Sequence, residues 1–417
     1  MARQPGTDLS LSLFLGLALV PSILLITVAF VKLGRFRRLL PTLREWTGAD
    51  PPVWPRLSVI VPCRNEEVSV ERAMRSLLAQ DYPNLEIVAI DDRSEDRTGG
   101  QLDALALTDP RLTVVHIKEL PEGWLGKNNA MHQGAARASG EWLLFTDGDV
   151  IFEAGALKRS VAFALAHGLG HFVALPHFIA PGFLERAFVA NFLASGGTLV
   201  DPASLHVPRT FAFVGVGAFG LVRHDAYRSI GGHERIAYEV GDDVKLGLLL
   251  RRHGWAQGCL DSDGLVRVRW QNGFLATLRG LEKNSFVIFE WNGWIAALAL
   301  PLVFLENLAP YPALLLPVAL PVKAMAATVV ARRAAAVGAA ARRGAEGSGL
   351  EGLASPLTSF LFPCVVTWST LLTLGRGGVR WRGTFYPLAK LRARCLPMLS
   401  LGTEKVIGWT PPPRPSR

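Results

Sequence analysis

Ser58-Val59-Ile60-Val61-Pro62-Cys63-Arg64-Asn65-Glu66-Glu67 decides how the chain is read. A short apolar, β-branched run ends abruptly in polar and charged residues. Such a run, too short for a helix and bounded by proline, reads as a buried strand. The pattern recurs downstream. Leu85–Ile90 leads into Asp91-Asp92-Arg93-Ser94-Glu95-Asp96, and Trp142–Phe145 leads into Thr146-Asp147-Gly148-Asp149. Leu112–Val115 is a further apolar run. Helical periodicity over Val68–Gln80, Asn128–Ala138 and Ala154–His167 fills the intervals. Strands alternating with helices imply a mainly parallel sheet covered on both faces. Ligands of such sheets bind at the carboxyl ends of the strands, where these acidic clusters fall.

The rest of the chain is different in kind. Of 417 residues, half are hydrophobic and 19% charged, against about 25% charged in a soluble domain. That composition excludes a disordered chain. The net charge is +9, but its distribution matters more. Between Arg56 and Leu275 there are 22 basic and 26 acidic residues, a net of −4, which leaves +13 for the flanks. A nucleic-acid binder carries its positive charge on the folded domain, so no nucleic-acid partner is expected. Cys63, Cys259, Cys364 and Cys395 show no paired spacing. They read as reduced thiols rather than a zinc site or disulfide framework.

Leu9 to Leu33 is apolar up to Lys32, long enough to cross a hydrocarbon layer of about 30 Å. The basic cluster Lys32, Arg35, Arg37 and Arg38 comes after it instead of preceding it, which favours an anchor over a cleaved signal peptide. Residues 1–38 are therefore expected to be an N-terminal transmembrane anchor, with the chain beyond Arg38 in the cytoplasm. A sheet domain is expected over 56–272. At 100° per residue, Phe274, Leu275, Leu278, Leu281, Ile288 and Phe289 share one sector, which predicts an interfacial amphipathic helix over 273–290; packing on the soluble domain is the alternative. Residues 291–330 predict a transmembrane hairpin, interrupted at Pro301, Glu306, Pro310 and Pro312. An Ala/Arg/Gly stretch over 331–350 reads as a cytoplasmic linker. Residues 351–375 read as a transmembrane or re-entrant segment, and 376–417 as a basic tail.

Two carboxylates at a strand end, as in Asp147-Gly148-Asp149, suit a hard cation such as Mg²⁺ or Mn²⁺ that shares its oxygen ligands with substrate phosphates. There is no G-x-G-x-x-G opening a helix and no phosphate-binding G-x-x-x-x-G-K-[ST] loop. Gly215-Val216-Gly217-Ala218-Phe219-Gly220 reads as a tight turn beside a substrate, or as plain core packing. Lys127 precedes a helical pattern and can reach a phosphate there; a surface lysine is the other reading. Asp242-Asp243 opens another helical pattern, where acids are favoured on electrostatic grounds alone.

Taken together, Val61 to Glu67, Asp91 to Thr98, Asp147-Gly148-Asp149, and Gly231-Gly232 leading to Asp242-Asp243 resemble glycosyltransferase family 2, over roughly half the chain. The N-terminal anchor and C-terminal apolar segments are similar to its lipid-modifying branch, which includes ceramide glucosyltransferase-like, hopanoid-associated and carotenoid enzymes. The resemblance implies a GT-A fold, a Rossmann-like mainly parallel sheet, with transmembrane helices at both ends. It implies a nucleotide-diphosphate sugar donor (UDP- or GDP-), a lipid acceptor and a divalent metal. By the same resemblance Pro62, Glu66 and Asp92 hold the nucleoside, Asp147 faces sugar or ribose, and Asp149 binds the metal. Asp243 is the base, with Asp242 beside it where the family often has Glu. Arg269-Trp270 resembles the end of a Q/R-x-x-R-W element, broken here by Val266; a buried Trp with an exposed Arg is the alternative. The nine histidines read as structural or surface residues. The leading expectation is an inverting, membrane-bound glycosyltransferase of the inner membrane with its catalytic domain in the cytoplasm. A processive polysaccharide synthase and an inactive scaffold of the same fold are the alternatives.

Overall fold

The computed structural model describes residues 8–199, 202–205 and 212–398. Contacts divide the chain into two units. Of the described residues, the sheet unit comprises those within Thr42–Leu175, Ser204–Asp261 and 394–398. The helical unit comprises those within 8–41, Pro176–Ala203 and Ser262–Ala393. The expected domain over 56–272 is thus interrupted, because 176–203 and 262–272 group with the apolar helices. The reason is packing: in helix Phe183–Leu199, Phe188 is buried with Leu281 and Val365, and Ala190 with Val337 and Ala341.

Among the described residues the main sheet of this unit has seven strands: β1 (Leu57–Cys63), β2 (Leu85–Asp92), β3 (Leu112–Ile117), β4 (Trp142–Phe145), β5 (His171–Leu175), β6 (Gly220–Arg223) and β7 (Gln257–Asp261). Their order is β3-β2-β1-β4-β6-β5-β7. β6 alone runs against the others, pairing antiparallel with β4 and β5. β1 and β4 are buried almost throughout, which is why both read as unbroken apolar runs. The expected helices are present as Val70–Leu78, Gly126–Arg137 and Ala156–Ala166. Thr98–Ala106 is an additional helix whose two glycines hid it from periodicity; a Cβ on Gly99 would lie 2.7 Å from the Asp91 carboxylate.

One close approach fixes the acidic helix Asp242–Arg252. The segment Val214–Gly217 lies against it backbone to backbone. A Cβ on Gly215 would fall 1.9 Å from the Asp243 carbonyl oxygen, and one on Gly247 would fall 1.9 Å from that of Val214. Gln257 stitches the two together: its amide donates to the Gly247 carbonyl (2.6 Å) and accepts from the Val214 N–H (3.2 Å).

In the helical unit, four stretches among the described residues are long and apolar enough to cross a membrane: Leu9–Leu39, Gly293–Leu315, Leu320–Gly344 and Leu350–Arg376. Asp8 caps the first, accepting from the Leu11 N–H at 3.0 Å. The helices Leu9–Leu39 and Leu320–Gly344 run parallel, as three contacts in matching order demonstrate. The Asp8 N–H donates to the Pro317 carbonyl (3.0 Å), the Ala319 N–H to the Ser12 hydroxyl (2.9 Å), and the Arg332 guanidinium to the Thr27 hydroxyl (2.9 Å). Glu306, the charge inside the expected hairpin, is paired 2.5 Å from Arg333, which also donates to the Asn307 carbonyl at 2.8 Å. A charge in an apolar bundle needs such a partner.

Three expectations change here. The linker expected over 331–350 is helical as far as Gly344, since alanine and arginine are good helix formers and Gly352 packs on the Ala334 carbonyl. The amphipathic helix expected over 273–290 is three short pieces, Phe274–Gly280, Glu282–Ser285 and the 3₁₀ turn Phe286–Phe289. Its apolar residues consequently do not share a face: Leu275 and Ile288 are 64% and 55% exposed while Leu281 is buried. The basic tail begins with a hairpin of Gly378–Trp381 and Thr384–Pro387, then helix Leu388–Ala393. Its turn has φ of 45° at Arg382 and 81° at Gly383, the two left-handed residues of a type I′ turn. Residues 1–7 of the anchor and 399–417 of the tail lie outside the described residues.

The backbone contact at Gly247 is testable. Alanine gains about 1 kcal/mol over glycine in a helix, but a methyl group 1.9 Å from a carbonyl oxygen forces backbone to move. Overpacking of this kind costs about 1–3 kcal/mol or more. Gly247→Ala should therefore lower the thermal midpoint of the detergent-solubilised protein by tryptophan fluorescence. An unchanged or raised midpoint would contradict the described contact.

Candidate active site

The acidic clusters sit at the carboxyl ends of β1, β2 and β4, as the strand pattern requires. The loops after β1 and β2 are laced together. The Asn65 N–H donates to the Ser94 hydroxyl (3.1 Å), the Glu95 N–H to the Asn65 side-chain oxygen (2.9 Å), and the Glu66 N–H to the Thr98 hydroxyl (2.8 Å). Asn65 and Arg93 adopt the left-handed region, with φ of 54° and 57°. For Arg93 that conformation is strained, and such strain persists only where the surroundings enforce it. It turns the guanidinium back onto Asp92, which is 3% exposed and accepts two bonds from Arg93 at 2.8 and 3.0 Å. Arg64 stands 3.9 Å from the same carboxylate. Asp91 instead accepts from the Ser94 N–H (3.2 Å) and faces His116 Nδ1 at 3.0 Å. The Glu66 carboxylate accepts from the Ser69 hydroxyl at 3.0 Å.

Beyond β4, Gly148 is wedged against the end of β1. A Cβ there would lie 2.9 Å from Cys63 Sγ and 3.3 Å from the Pro62 carbonyl oxygen. The glycine therefore lets the two aspartates flank a turn pressed onto β1. Asp147 meets Lys127, from the first turn of helix Gly126–Arg137, with Nζ 2.8 Å from Oδ1. The same ammonium is 3.5 Å from Asp242 Oδ2. Gly217 marks where these groups converge. A Cβ on it would lie 3.1 Å from Asp147 Oδ2, 3.2 Å from Lys127 Nζ and 3.6 Å from Asp243 Oδ2. Asp243 also accepts from the Val244 N–H at 2.8 Å. Asp92 adjoins the cluster through Gly126, whose Cβ would lie 2.5 Å from its Oδ2. Asp149 is half-buried at the end of the β4 turn.

Electrostatics follow from this geometry. Asp242 is only 4% exposed. Burial raises its pKa to about 6; Lys127 opposes the rise, and the Asp243 and Asp147 charges add to it. Burial works to lower the Lys127 pKa, but the Asp147, Asp242 and Asp243 charges outweigh it, so the ammonium is held charged above its ordinary range. Lys127 is thus no surface lysine, its side chain being 19% exposed. Nor is Asp242 a solvated helix end. His233 is buried beside Asp242 and Asp243 on a cavity of about 20 Å³, room for one water-sized molecule. Burial first, then Lys127 and His132, push its pKa down to about 3, so it is neutral. Its Nδ1 is 3.0 Å from the Tyr227 hydroxyl.

Arg269 and Trp270 belong to the helical unit. Arg269 is exposed, and Trp270 packs on Phe192 and Phe178 with ring centroids 4.7 and 6.0 Å away. Sequence reasoning missed the groups that tie the acidic helix down. Buried Lys245 donates to the Leu396 carbonyl, and the Leu396 N–H donates to buried Glu239. Arg252 donates to the Pro397 carbonyl (2.6 Å), and Arg394 to the Gly123 carbonyl (2.8 Å). The tail residues 394–397 thus strap both the Lys127 loop and the Asp242 helix. The signal was a lysine in the otherwise apolar run Val244 to Leu250.

Among the described residues no three His, Cys, Asp or Glu side chains form a ready metal cluster. At the β4 turn Asp147 Oδ1 is 2.8 Å from Lys127 Nζ, and Asp149 is the second carboxylate of the turn. One carboxylate with phosphate oxygens fits how Mg²⁺-like ions are held beside nucleotides.

Residues 58–231 match the family model for Glycosyl transferase family 2. The chain is 40% identical over 107 residues to the GalNAc(5)-diNAcBac-PP-undecaprenol beta-1,3-glucosyltransferase of Campylobacter jejuni, covering 25% of this chain and 33% of that protein. It is 25% identical over 268 residues to the beta-monoglucosyldiacylglycerol synthase of Synechocystis, covering 58% and 52%. It is 26% identical over 239 residues to the 4,4'-diaponeurosporenoate glycosyltransferase of Staphylococcus aureus, covering 55% and 60%. The match therefore spans between a third and three fifths of these relatives' lengths. Among solved structures, a mannosyltransferase from Pyrobaculum calidifontis in complex with GDP-Man and Mn²⁺ aligns with a TM-score of 0.50 and 20% identity, over 91% of this chain and 97% of that one. That likeness places the sheet unit in the GT-A fold.

The raised Asp242 pKa carries a stability prediction. The neutral acid's contribution is full below its ordinary value of 3.8 and is lost as pH rises through about 6. Asp242→Asn removes that loss. Its denaturation midpoint, read by tryptophan fluorescence at about pH 4 and about pH 7.5, should fall less with rising pH than that of the wild type. Parallel profiles would rule out a buried, proton-holding Asp242.

Proposed function

From the match of residues 58–231 to the Glycosyl transferase family 2 model, we propose that the protein is a membrane-anchored, inverting glycosyltransferase. It moves a sugar from a UDP- or GDP-sugar to a hydroxyl of a lipid. The observation that carries this reading is the convergence of Lys127, Asp147, Asp242 and Asp243 around Gly217, at the carboxyl edge of the sheet.

Asp243 serves as the base. It accepts the proton of the acceptor hydroxyl as that oxygen attacks the anomeric carbon, and a single displacement inverts the carbon. Asp242 is the neighbouring acid, which its burial keeps protonated to higher pH than an ordinary aspartate. Lys127 stays cationic among the carboxylates and supplies positive charge at a helix N-terminus, suited to the donor diphosphate. Pro62, Glu66 and Asp92 line the strand ends where the nucleoside binds, with Arg93 and Arg64 holding Asp92 in place. Asp147 faces the sugar or ribose. Asp149 would hold a divalent ion, Mg²⁺ or Mn²⁺, together with the diphosphate, and such an ion supplies charge neutralisation to the leaving group when bound.

Two things support a lipid acceptor. The three relatives carry undecaprenol, diacylglycerol and diaponeurosporenoate in their names, and four stretches of this chain suit a bilayer. The parallel course of Leu9–Leu39 and Leu320–Gly344 brings Arg35, Arg37 and Arg38 to the same side as Arg342 and Arg343, at the C-terminal ends of the two helices. By the positive-inside rule that side is the cytoplasm.

Purified full-length protein, given labelled UDP- or GDP-sugar and membrane lipid extract, should yield a labelled lipid by thin-layer chromatography and mass spectrometry. Asp243→Asn should reduce transfer by about 10²–10⁴-fold while leaving donor binding by calorimetry intact. Full turnover in that variant would remove the base assignment. Excess EDTA should stop transfer; sustained activity would count against a metal at Asp149. A polymer ladder or a purely water-soluble product would overturn the lipid acceptor.

A further inference from the structure

The helical unit holds a groove of about 480 Å³ unrelated to the carboxylate cluster. It lies between helix Leu9–Leu39 and helix Leu320–Gly344. On the first helix Phe30, Val31, Gly34, Arg35 and Arg38 line it, and on the second Arg332 does. Spacings of three and four residues put the first set on one helix face. The apolar run from Leu9 to Val31 covers about 34 Å at 1.5 Å per residue, the thickness of a hydrocarbon core. Phe30 and Val31 therefore stand at its last turn, and the arginines one turn beyond, at headgroup depth. Arg332 closes the apolar end of the groove, its guanidinium donating to the Thr27 hydroxyl at 2.9 Å about one turn before Val31.

Three features separate this groove from an ordinary basic surface. The charge is arginine alone, and among the described residues no acidic side chain lines the groove. Guanidinium groups grip phosphate with paired N–H donors, where a lysine acts only as a point charge. The walls change from apolar to cationic along one helix face, as a phospholipid changes from acyl chain to phosphate. Gly34 forms an opening: a Cβ placed there meets nothing within 4 Å. Glycine is a poor helix residue, and no packing neighbour requires it here. What it provides is room beside Arg35 and Arg38.

We propose that this groove binds the phosphate of an anionic membrane phospholipid, with Arg35, Arg38 and Arg332 around the headgroup and an acyl chain along Phe30 and Val31. Basic pockets between membrane helices at the cytoplasmic side are suited to this chemistry. The proposal does not depend on which sugar the enzyme transfers.

The test uses the full-length protein in nanodiscs of phosphatidylcholine containing about one-fifth phosphatidylglycerol, followed by native mass spectrometry of the released protein. The wild type should retain a single phosphatidylglycerol in preference to phosphatidylcholine. The double variant Arg35→Gln, Arg38→Gln should lose that retention by about tenfold or more. Gly34→Leu, which fills the groove, keeps every charge and improves helix propensity, should lose it equally. Arg279→Gln, at an exposed arginine elsewhere in the unit, should retain the lipid as the wild type does. Should the double variant fail to fold, Gly34→Leu decides alone. Equal retention of both lipids, or wild-type retention by Gly34→Leu, would overturn the proposal. Displacement of the lipid by inorganic phosphate would also overturn it, by making the groove a soluble-anion site.

Discussion

The ammonium of Lys127 is the centre on which the site depends. It comes from the helix after β3, Asp147 from the turn after β4, and Asp242 and Asp243 from a helix that precedes β7. Nothing in the chain order brings these side chains together. The sheet does, because parallel strands deliver their carboxyl ends to one edge. Three carboxylates at this spacing would repel strongly in a partly buried setting. One lysine cannot neutralise them all: burial raises the Asp242 pKa, Lys127 opposes the rise, and the Asp243 and Asp147 charges add to it. The cluster is thus held at a cost in stability, which is the usual mark of groups kept for chemistry rather than for folding.

That cost is tolerated because the surrounding backbone is fixed more firmly than the side chains. Gly215 and Gly247 let Val214–Gly217 and the acidic helix touch backbone to backbone, and Gly148 lets the β4 turn press on Pro62 and Cys63. On the far side of the helix, Lys245 and Glu239 grip both polar groups of Leu396. A buried lysine and glutamate would be expensive if left unpaired. Here they bind a peptide unit and set the helix position through the tail. The acidic helix is consequently held from two directions, so repulsion at its first turn has little freedom to move it.

The sheet could be read from the sequence because β1 and β4 are buried almost throughout and run apolar up to the polar residues that end them. The polar residues that end them are the site, so fold and function shared one signal at Asp92, Asp147 and Asp149. Lys127 could only be left between a phosphate ligand and a surface lysine, because its partner Asp242 is over a hundred residues away. The failures have similar causes. The stretch 331–350 has a linker's composition, but alanine forms helix wherever a neighbour covers it, and Gly338 and Gly352 allow that neighbour to approach. The 273–290 segment has a helical period, yet periodicity assumes one unbroken helix, and the chain breaks at Leu281 and again at Phe286. The assignment of 176–203 to the helical unit rests on Phe188 meeting Leu281 and Val365 and on Ala190 meeting Val337 and Ala341, all far along the chain.

Charge divides along the same line as structure. The sheet region is mildly acidic and the flanks carry +13. A uniformly basic chain would present the same attraction to anions everywhere. Confining the excess to the flanks places it in the same segments as the four stretches that are long and apolar enough to cross a membrane. It leaves the strand-end site with a few placed charges, chiefly one charged lysine at a helix N-terminus. In such a site selectivity comes from where a few charges stand, not from how many there are. Holding Lys127 between Asp147 and Asp242 fixes its position, so little ordering of that side chain remains to oppose the binding of an anion there.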